Sequence, residues 1–142
     1  LVKLKRQKPE FKNLKYKEIL KHLTKLDNSR ADIGLCSNNK IFETGTSNLL
    51  FVKNDKVFSP INKFYKGITY KFFRSKIKKI IKKDISINSL KEFDEIILIG
   101  SGKGVASVKT INQIKWKRKN LKFYNILSGH YKSAISNCKR YS

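Results

Sequence analysis

The apolar and polar positions of the chain predict mainly short β-strands joined by tight turns. Leu49 to Val52 is an apolar run with β-branched and aromatic members, and a similar pattern returns from Lys56 to Phe58. Between them stand Asn54 and Asp55, residue types that tolerate the backbone of a tight turn. The whole stretch therefore predicts a β-hairpin.

A second hairpin is predicted just before the first. The segments Ile33 to Cys36 and Lys40 to Glu43 are typical of strands, and Ser37-Asn38-Asn39 between them supplies asparagines that accept a positive φ. This pairing places Glu43 at the end of a strand. The segment from Leu1 to Lys8 begins with alternating apolar and basic residues, which fits a short strand or a linker.

Apolar residues at helical spacing predict three helices. The first covers Lys17 to Leu26, and the second covers Gly67 to Lys83. The third is predicted from Leu121 to Cys138, with an interruption near Gly129. Ser89 to Glu92 has the form of a capping box, with a serine followed three residues later by a glutamate, and predicts a further short helix.

The run from Glu95 to Ile99 is nearly continuous in apolar residues, which is typical of a strand buried on both faces. It leads into a glycine-rich bend, Gly100 to Gly104, after which Val105 to Ile111 predicts another strand. The adjacent acids Asp94 and Glu95 are expected to be solvated. The strands and helices together indicate one domain of α/β type, with mixed α and β structure.

Length and composition agree with a single packed domain, because 142 residues with 39% hydrophobic content are enough for one core. The formal net charge of +23 points towards nucleic acid or an anionic surface. Counting along the chain, however, 28 of the 33 basic residues are lysine and five are arginine, whereas phosphate and base recognition favours the arginine fork. A solvated lysine-rich face is therefore favoured, and a basic nucleic-acid-binding domain is the alternative from another class.

Features that the sequence lacks shape further expectations. No apolar run approaches the ~20 residues that span a bilayer, and Cys36 and Cys138 have no Cys or His partner at metal-ligand spacing. His22 and His130 likewise receive no role. From the missing bilayer-spanning run we expect a soluble chain, and from the two isolated cysteines a reducing cytoplasm. Since the chain begins at Leu1 and contains no methionine, we also expect a piece of a longer chain.

Three short segments are suited to binding chemistry. Glu43 stands at the mouth of the bend Thr44 to Asn48, where a lone acid suits a buried position facing a positively charged nitrogen. Gly67-Ile68-Thr69 at a predicted helix start and Gly100-Ser101-Gly102 after the buried strand are both suited to an anion. Each bend taken alone is more often an ordinary turn.

The sequence Glu43-Thr44-Gly45-Thr46-Ser47-Asn48, followed by an apolar strand and a short turn, resembles the motif of the class-IV aminotransferases, the fold-type IV pyridoxal-phosphate enzymes. The resemblance runs from about Lys8 to Ile135. It implies the C-terminal pseudo-barrel domain of the D-amino-acid aminotransferase-like fold over residues 9–142, with residues 1–8 as interdomain linker or first strand. It also implies that the family's small N-terminal domain is missing from this chain.

The resemblance implies pyridoxal 5'-phosphate as the cofactor and assigns its contacts. In the run Lys12 to Tyr16, Lys12 is implied as the catalytic lysine that bonds to the cofactor, and Glu43 is implied opposite the pyridine nitrogen. The implied phosphate contacts are Gly67, Ile68, Thr69 and Ser101. The chain departs from the family pattern at Leu50, Ser59, Lys66 and Tyr70.

The resemblance also favours one activity. The loop Ser101 to Val105 resembles that of the 4-amino-4-deoxychorismate lyase branch, which implies formation of 4-aminobenzoate and pyruvate in folate biosynthesis. Lys103 in this loop is expected to bind substrate carboxylates. The alternative within the family is an aminotransferase for branched-chain or D-amino acids with a 2-oxo acid. A homodimer acting on a small amino substrate is implied, with no nucleic acid, membrane or metal.

Overall fold

The computed structural model describes residues 1–11 and 16–138, which form two β-sheets, a two-stranded ribbon and three α-helices. The strands are β1 (Val2–Lys3), β2 (Gly34–Ser37), β3 (Lys40–Thr44), β4 (Asn48–Lys53), β5 (Lys56–Ser59), β6 (Ile80–Lys82), β7 (Ile85–Ser86), β8 (Glu95–Gly100), β9 (Gly104–Ser107), β10 (Thr110–Ile111) and β11 (Trp116–Lys117). The helices are α1 (Lys17–Leu23), α2 (Ile68–Lys76) and α3 (Lys122–Ser136), with 3₁₀ turns at Asn88–Glu92 and Asn112–Ile114. This content confirms the predicted mixed α and β class.

The larger sheet is buried on both faces. Its strands lie in the order β6-β5-β4-β8-β9, with β4 and β8 antiparallel at its centre. Because side chains alternate along a strand, Leu49 and Phe51 pack on one side while Leu50 and Val52 pack on the other. All four are at most 3% exposed, which confirms a sheet covered on both faces and explains its continuous apolar runs.

Tight turns form both predicted hairpins. Asn38 and Asn39 connect β2 to β3, and Asn54 and Asp55 connect β4 to β5. All four have positive φ angles, between 49° and 60°. Asparagine and aspartate enter this left-handed region more readily than most other residues. Turn chemistry therefore brings the acid Glu43 to the end of β3 as predicted.

The smaller sheet, in the order β1-β2-β3-β7, packs against the larger one across the main core, where Ile41 and Leu98 meet. On the other side of the smaller sheet, α1 packs through Ile19 against Leu35. The remaining face of the larger sheet is covered by α2 and α3, with Leu127 of α3 1% exposed. The layers are therefore α1, the smaller sheet, the larger sheet, and the pair α2 and α3.

The second helix ends earlier than its apolar spacing predicts. α2 stops at Lys76, Ile77 has extended dihedral angles (φ −87°, ψ 121°), and β6 pairs in parallel with β5. Isoleucine is β-branched and favours strands. Ile80 pairs with Val57 in the parallel ladder between β5 and β6, and a longer helix could not form this pairing. The prediction of helix as far as Lys83 is wrong for this reason.

Other boundaries also differ from prediction. α3 passes Gly129 without a break, α1 ends at Leu23, and the strand predicted after Gly104 is divided into β9 and β10. The 3₁₀ turn at Asn88–Glu92 has no side-chain cap, because Ser89 Oγ donates instead to the carbonyl oxygen of Ser86 at 2.8 Å. The predicted capping box is therefore wrong.

Glu95 is buried rather than solvated. It is 0% exposed, and its Oε1 and Oε2 accept hydrogen bonds from the amides of Phe123 at 2.8 Å and Tyr124 at 2.9 Å. These amides belong to the first turn of α3, where the helix itself provides no acceptor. The carboxylate thus caps α3 and joins it to the larger sheet.

Within residues 1–11 and 16–138, no helix has the length and apolar content that crossing a bilayer requires. The same part of the chain holds no group of three His, Cys, Asp or Glu side chains arranged for a metal ion. Cys36 is buried and Cys138 is exposed, and both are free thiols.

Candidate active site

Glu43 is the buried acid predicted from the sequence. It is 3% exposed and forms an ion pair with Arg6, whose Nε lies 2.8 Å from Glu43 Oε1. Arg6 Nη2 also donates to the carbonyl oxygen of Gly45 at 3.4 Å. Among the described residues, the other carboxylate oxygen, Oε2, accepts one long hydrogen bond of 3.4 Å from the Tyr65 amide. Glu43 therefore has one well-paired oxygen and one with spare acceptor capacity.

Burial raises the pKa of Glu43 above its ordinary value of 4.5, because loss of water disfavours the charged carboxylate. The charge of Arg6, the hydrogen bond from Arg6 and the Tyr65 amide act in the opposite direction and lower the same pKa. Arg6 thus offsets part of the cost of burying this acid. A carboxylate in this setting is suited to a second cationic partner at its spare oxygen.

The bend between β3 and β4 is held by hydrogen bonds within its own sequence. The Thr44 amide donates to the Ser47 carbonyl oxygen at 2.9 Å, and the Ser47 amide donates to Thr44 Oγ1 at 2.9 Å. Gly45 lies so close to its neighbours that a β-carbon there would meet atoms of Ile33 and Leu23 at 3.1 Å. The glycine therefore lets the bend pack tightly beneath α1, next to the buried acid.

One cavity of about 350 Å³ brings most of the predicted site residues together. It is lined by Glu43, by Gly67, Ile68 and Thr69, and by Ser101. Small-molecule sites in proteins usually measure roughly 300–1,000 Å³. The acid and both glycine bends thus share one space of suitable size.

Antiparallel pairing explains why the two glycine bends meet. Asn48 at the start of β4 pairs with Ile99 near the end of β8. The start of β4 and the end of β8 therefore lie at the same edge of the larger sheet. Gly100 permits a close approach, because a β-carbon there would be 3.0 Å from Ser47 Oγ and 3.3 Å from the Thr46 carbonyl oxygen. This contact holds the loop after β8 against the cavity.

The start of α2 supplies backbone donors to the cavity. First-turn amides have no acceptor within a helix, and those of Ile68, Thr69 and Tyr70 find none elsewhere in the described part of the chain. The Gly67 amide, in contrast, donates to Asn48 Oδ1 at 3.3 Å. Because Ile68 and Thr69 line the cavity, their amides and the positive end of the helix suit a phosphate group.

Two of the departures from the family pattern contact each other. The hydroxyl groups of Tyr70 and Ser59 are 3.0 Å apart, and the two residues are 1% and 0% exposed. Ser59 Oγ also lies 3.1 Å from the Pro60 carbonyl oxygen, to which it donates. Tyr70 is in the first turn of α2 and Ser59 is at the end of β5. The pair therefore forms a buried polar link between the helix start and the sheet.

Two predicted site residues are not placed in this cavity. Lys12 lies outside the described residues, so its assignment stays a prediction. Lys103 lines a neighbouring cavity, and its Nζ is 3.2 Å from Asp32 Oδ2, which also accepts from Thr44 Oγ1 at 2.9 Å. In this position Lys103 anchors the loop after β8 to the bend beside Glu43, and its predicted contact with substrate stays a prediction.

Three residues of the site were not singled out by sequence. Arg6 stands in a lysine-rich segment, and its one distinguishing signal is that the chain has only five arginines. Tyr65 contributes its backbone amide, for which side-chain patterns give no signal. Asn48 belongs to the recognised motif, yet the motif alone does not reveal its partners, the Tyr65 carbonyl oxygen and the Gly67 amide.

Comparison with solved structures shows which folds resemble this one. A 4-amino-4-deoxychorismate lyase from Pseudomonas aeruginosa aligns with a TM-score of 0.75 and 19% identity, over 88% of this chain and 48% of that chain. A branched-chain aminotransferase from Thermoproteus uzoniensis gives 0.70 and 16%, over 82% and 41%. The PLP-bound form of a hypothetical aminotransferase from Mycobacterium tuberculosis gives 0.70 and 18%, over 89% and 47%. The chain thus spans about half the length of the structures it matches.

Comparison by sequence places the chain in a family. No curated protein matches it. The family model described as Amino-transferase class IV matches residues 2–111, which is more than half of the 142 residues and includes the acid, the bend and both glycine segments. The resemblance inferred from the motif is therefore confirmed, and the chain belongs to the class IV aminotransferase family.

Proposed function

We propose that this chain is the cofactor-holding part of a pyridoxal-5'-phosphate enzyme that converts 4-amino-4-deoxychorismate to 4-aminobenzoate and pyruvate. The observation that carries the proposal is the single cavity lined both by the buried acid Glu43 and by the first residues of α2. Membership of the family and the fold shared with a PLP-bound aminotransferase support this cofactor. They also favour an enzyme over the nucleic-acid-binding alternative.

The described residues fit the two polar ends of this cofactor. A protonated pyridine nitrogen needs an anionic acceptor, and Glu43 offers Oε2 while its Oε1 stays paired with Arg6. A phosphate needs several donors, and Ile68 and Thr69 with their amides and Ser101 with its hydroxyl line the same cavity as Glu43. When bound, the cofactor supplies an electron sink for the negative charge that develops on the substrate.

Lys12 is the proposed base. Its amine takes the proton from the ring carbon that bears the substrate amine, and the bond between the ring and the enolpyruvyl oxygen then breaks to leave an aromatic ring. The released enolate takes up a proton at its methylene carbon and becomes pyruvate. Glu43 keeps the proton on the pyridine nitrogen during this step, because Arg6 opposes the rise in pKa that burial causes. Lys12 thus transfers the substrate proton, and Glu43 holds the proton on the pyridine nitrogen.

The loop from Ser101 to Val105 favours the lyase over a transaminase, because its sequence resembles the lyase branch. The second candidate, an aminotransferase for branched-chain or D-amino acids, is supported by the fold shared with the Thermoproteus enzyme. In that case Lys12 returns the proton to a carbon of the cofactor, and a 2-oxo acid is the second substrate. We also propose a cytoplasmic homodimer that acts in folate biosynthesis, as the resemblance implies.

The test has two parts. The purified protein is incubated with pyridoxal 5'-phosphate, and we expect a visible imine absorbance that Lys12→Ala abolishes and the surface control Lys25→Ala retains. The protein is then assayed with 4-amino-4-deoxychorismate, and separately with branched-chain amino acids and 2-oxoglutarate. Pyruvate release from the first substrate supports the lyase, and amino transfer in the second supports the transaminase. Absorbance that survives Lys12→Ala would contradict the assignment of that lysine.

A further inference from the structure

Asn48 joins the two segments that enclose the cavity. It is the first residue of β4 and is 6% exposed. Its Nδ2 donates to the carbonyl oxygen of Tyr65 at 2.6 Å, and its Oδ1 accepts from the amide of Gly67 at 3.3 Å. One side-chain amide therefore binds both a donor and an acceptor in the loop that leads into α2.

The same loop is also tied to the buried acid. The Tyr65 amide donates to Glu43 Oε2, and the carbonyl group of Tyr65 is the acceptor for Asn48. Gly67 then caps α2 with extended dihedral angles, φ −67° and ψ 167°. Its missing side chain matters here, because a β-carbon would stand 3.3 Å from Asn48 Oδ1. Glu43, Asn48 and the start of α2 are thus connected through three consecutive residues, 65–67.

We infer that Asn48 is a positioning residue that fixes the first amides of α2 at the distance from Glu43 that a phosphate-bearing ring requires. This inference rests on the proposed function. It extends that function, because no motif or comparison assigns a task to Asn48. The residue has no need to touch the ligand, since it acts on the Gly67 peptide, which precedes the amides of Ile68 and Thr69, and these two amides have no acceptor within residues 1–11 and 16–138.

Geometry makes this role sensitive to small changes. Hydrogen bonds weaken steeply with poor distance and angle, and a helix terminus attracts an anion within its first turn and little beyond it. Without Asn48, the loop loses two of the side-chain hydrogen bonds that orient its peptides and keeps the long one from the Tyr65 amide to Glu43. Displacement of the helix start then weakens the phosphate contacts more than the contacts at the ring.

The test compares two ligands that differ in the phosphate alone. Affinities for pyridoxal 5'-phosphate and for pyridoxal are measured by absorbance titration in the wild type, in Asn48→Ala and in Asn48→Leu, which keeps a side chain branched at Cγ but removes the donor and the acceptor. We expect the ratio of the two affinities to fall about tenfold in both variants, the equivalent of one or two lost hydrogen bonds. Affinity for pyridoxal itself should change little.

A matched control separates positioning from general loss of stability. Leu90 is 0% exposed and packs in the core between the sheets, and it does not line the cavity. Leu90→Ala should destabilise the fold yet keep the wild-type affinity ratio. An unchanged ratio in both Asn48 variants would overturn the inference while leaving the proposed function intact. A wild-type protein without any preference for the phosphorylated ligand would overturn the proposed function, and with it the inference.

Discussion

Two glutamates are buried, Glu95 in β8 of the larger sheet and Glu43 in β3 of the smaller sheet, and their partners differ. Glu95 uses both carboxylate oxygens on the α3 amides of Phe123 and Tyr124, at 2.8 and 2.9 Å. Glu43 pairs one oxygen with Arg6 at 2.8 Å, and in the part of the chain that the structure describes its other oxygen accepts a single long hydrogen bond at the edge of a cavity. Burial is nearly the same, at 0% and 3% exposed.

The comparison shows that burial of an acid does not by itself indicate function. A carboxylate whose acceptor sites are satisfied by backbone amides contributes to stability, because it completes a helix terminus. A carboxylate with spare capacity, next to a cavity and beside a fixed cation, is prepared for a further ligand. The number of free acceptor sites distinguishes the structural glutamate from the one expected in the active site.

The largest expected effect comes from removing the charge at each acid in turn. Glu43→Gln should lower the rate of pyruvate release by about 100-fold, because the pyridine nitrogen loses the anion that keeps it protonated. The matched change Glu95→Gln should leave that rate unchanged, since Glu95 does not line the cavity. Steady-state assays of the two variants check this. Equal losses in both would show that the two acids do not differ in the way proposed.

The second effect concerns the free energy of unfolding, and here Glu95 rather than Glu43 is the acid whose removal should matter. Glu95→Ala leaves two α3 amides without an acceptor, and we expect the free energy of unfolding to fall by about 2–3 kcal/mol. Denaturant titration monitored by circular dichroism measures this loss. The exposed Glu92, which is paired with Lys53, serves as control, and Glu92→Ala should give no measurable change. A loss at Glu95 no larger than at Glu92 would contradict the capping role.

The smallest effect is a dependence of stability on pH. Because the pKa of Glu43 is raised in the folded state, protonation of Glu43 begins at a higher pH there than in the unfolded chain. The stabilisation from Glu43 is therefore fully present below its ordinary pKa of 4.5 and is lost as pH rises through the raised value. The difference in free energy of unfolding between wild type and Glu43→Gln should follow this curve. The loss should extend to higher pH in Arg6→Gln, where the opposing charge is absent, and a curve of opposite sign would refute the assignment.

Local chemistry explains which parts of this fold could be predicted. Both hairpins depend on Asn and Asp at turn positions, and these residues lie within or next to the strands they connect. The acid at the end of β3 followed directly from that register. The end of α2 could not be found in the same way, because Ile77 to Lys82 satisfies a helical period but is drawn into a strand by pairing with β5, which is distant in sequence.

Some contacts of the candidate site could be anticipated from local sequence, and others could not. Glu43 and the two glycine bends lie in motifs whose spacing is visible in the sequence, and they line one cavity. Arg6 lies 37 residues before the acid it pairs with, and Glu95 lies 28 residues before the amide of Phe123. Such long-range pairs carry no local periodicity. They depend on tertiary packing and could be seen only in the structure.

The antiparallel pairing of Asn48 with Ile99 fixes the end of β8 at the edge of the cavity, independently of the loop that follows. The loop that follows β8 is attached to the edge of the sheet at Gly100 and Gly104, two residues that pair with each other across the β8–β9 turn. Ser101 lies between these two anchors and lines the cavity, so a different sequence grafted there would change one wall of the cavity while the strands below keep their register. Variation in this one short turn is therefore a route by which the cavity can change without any change in the fold.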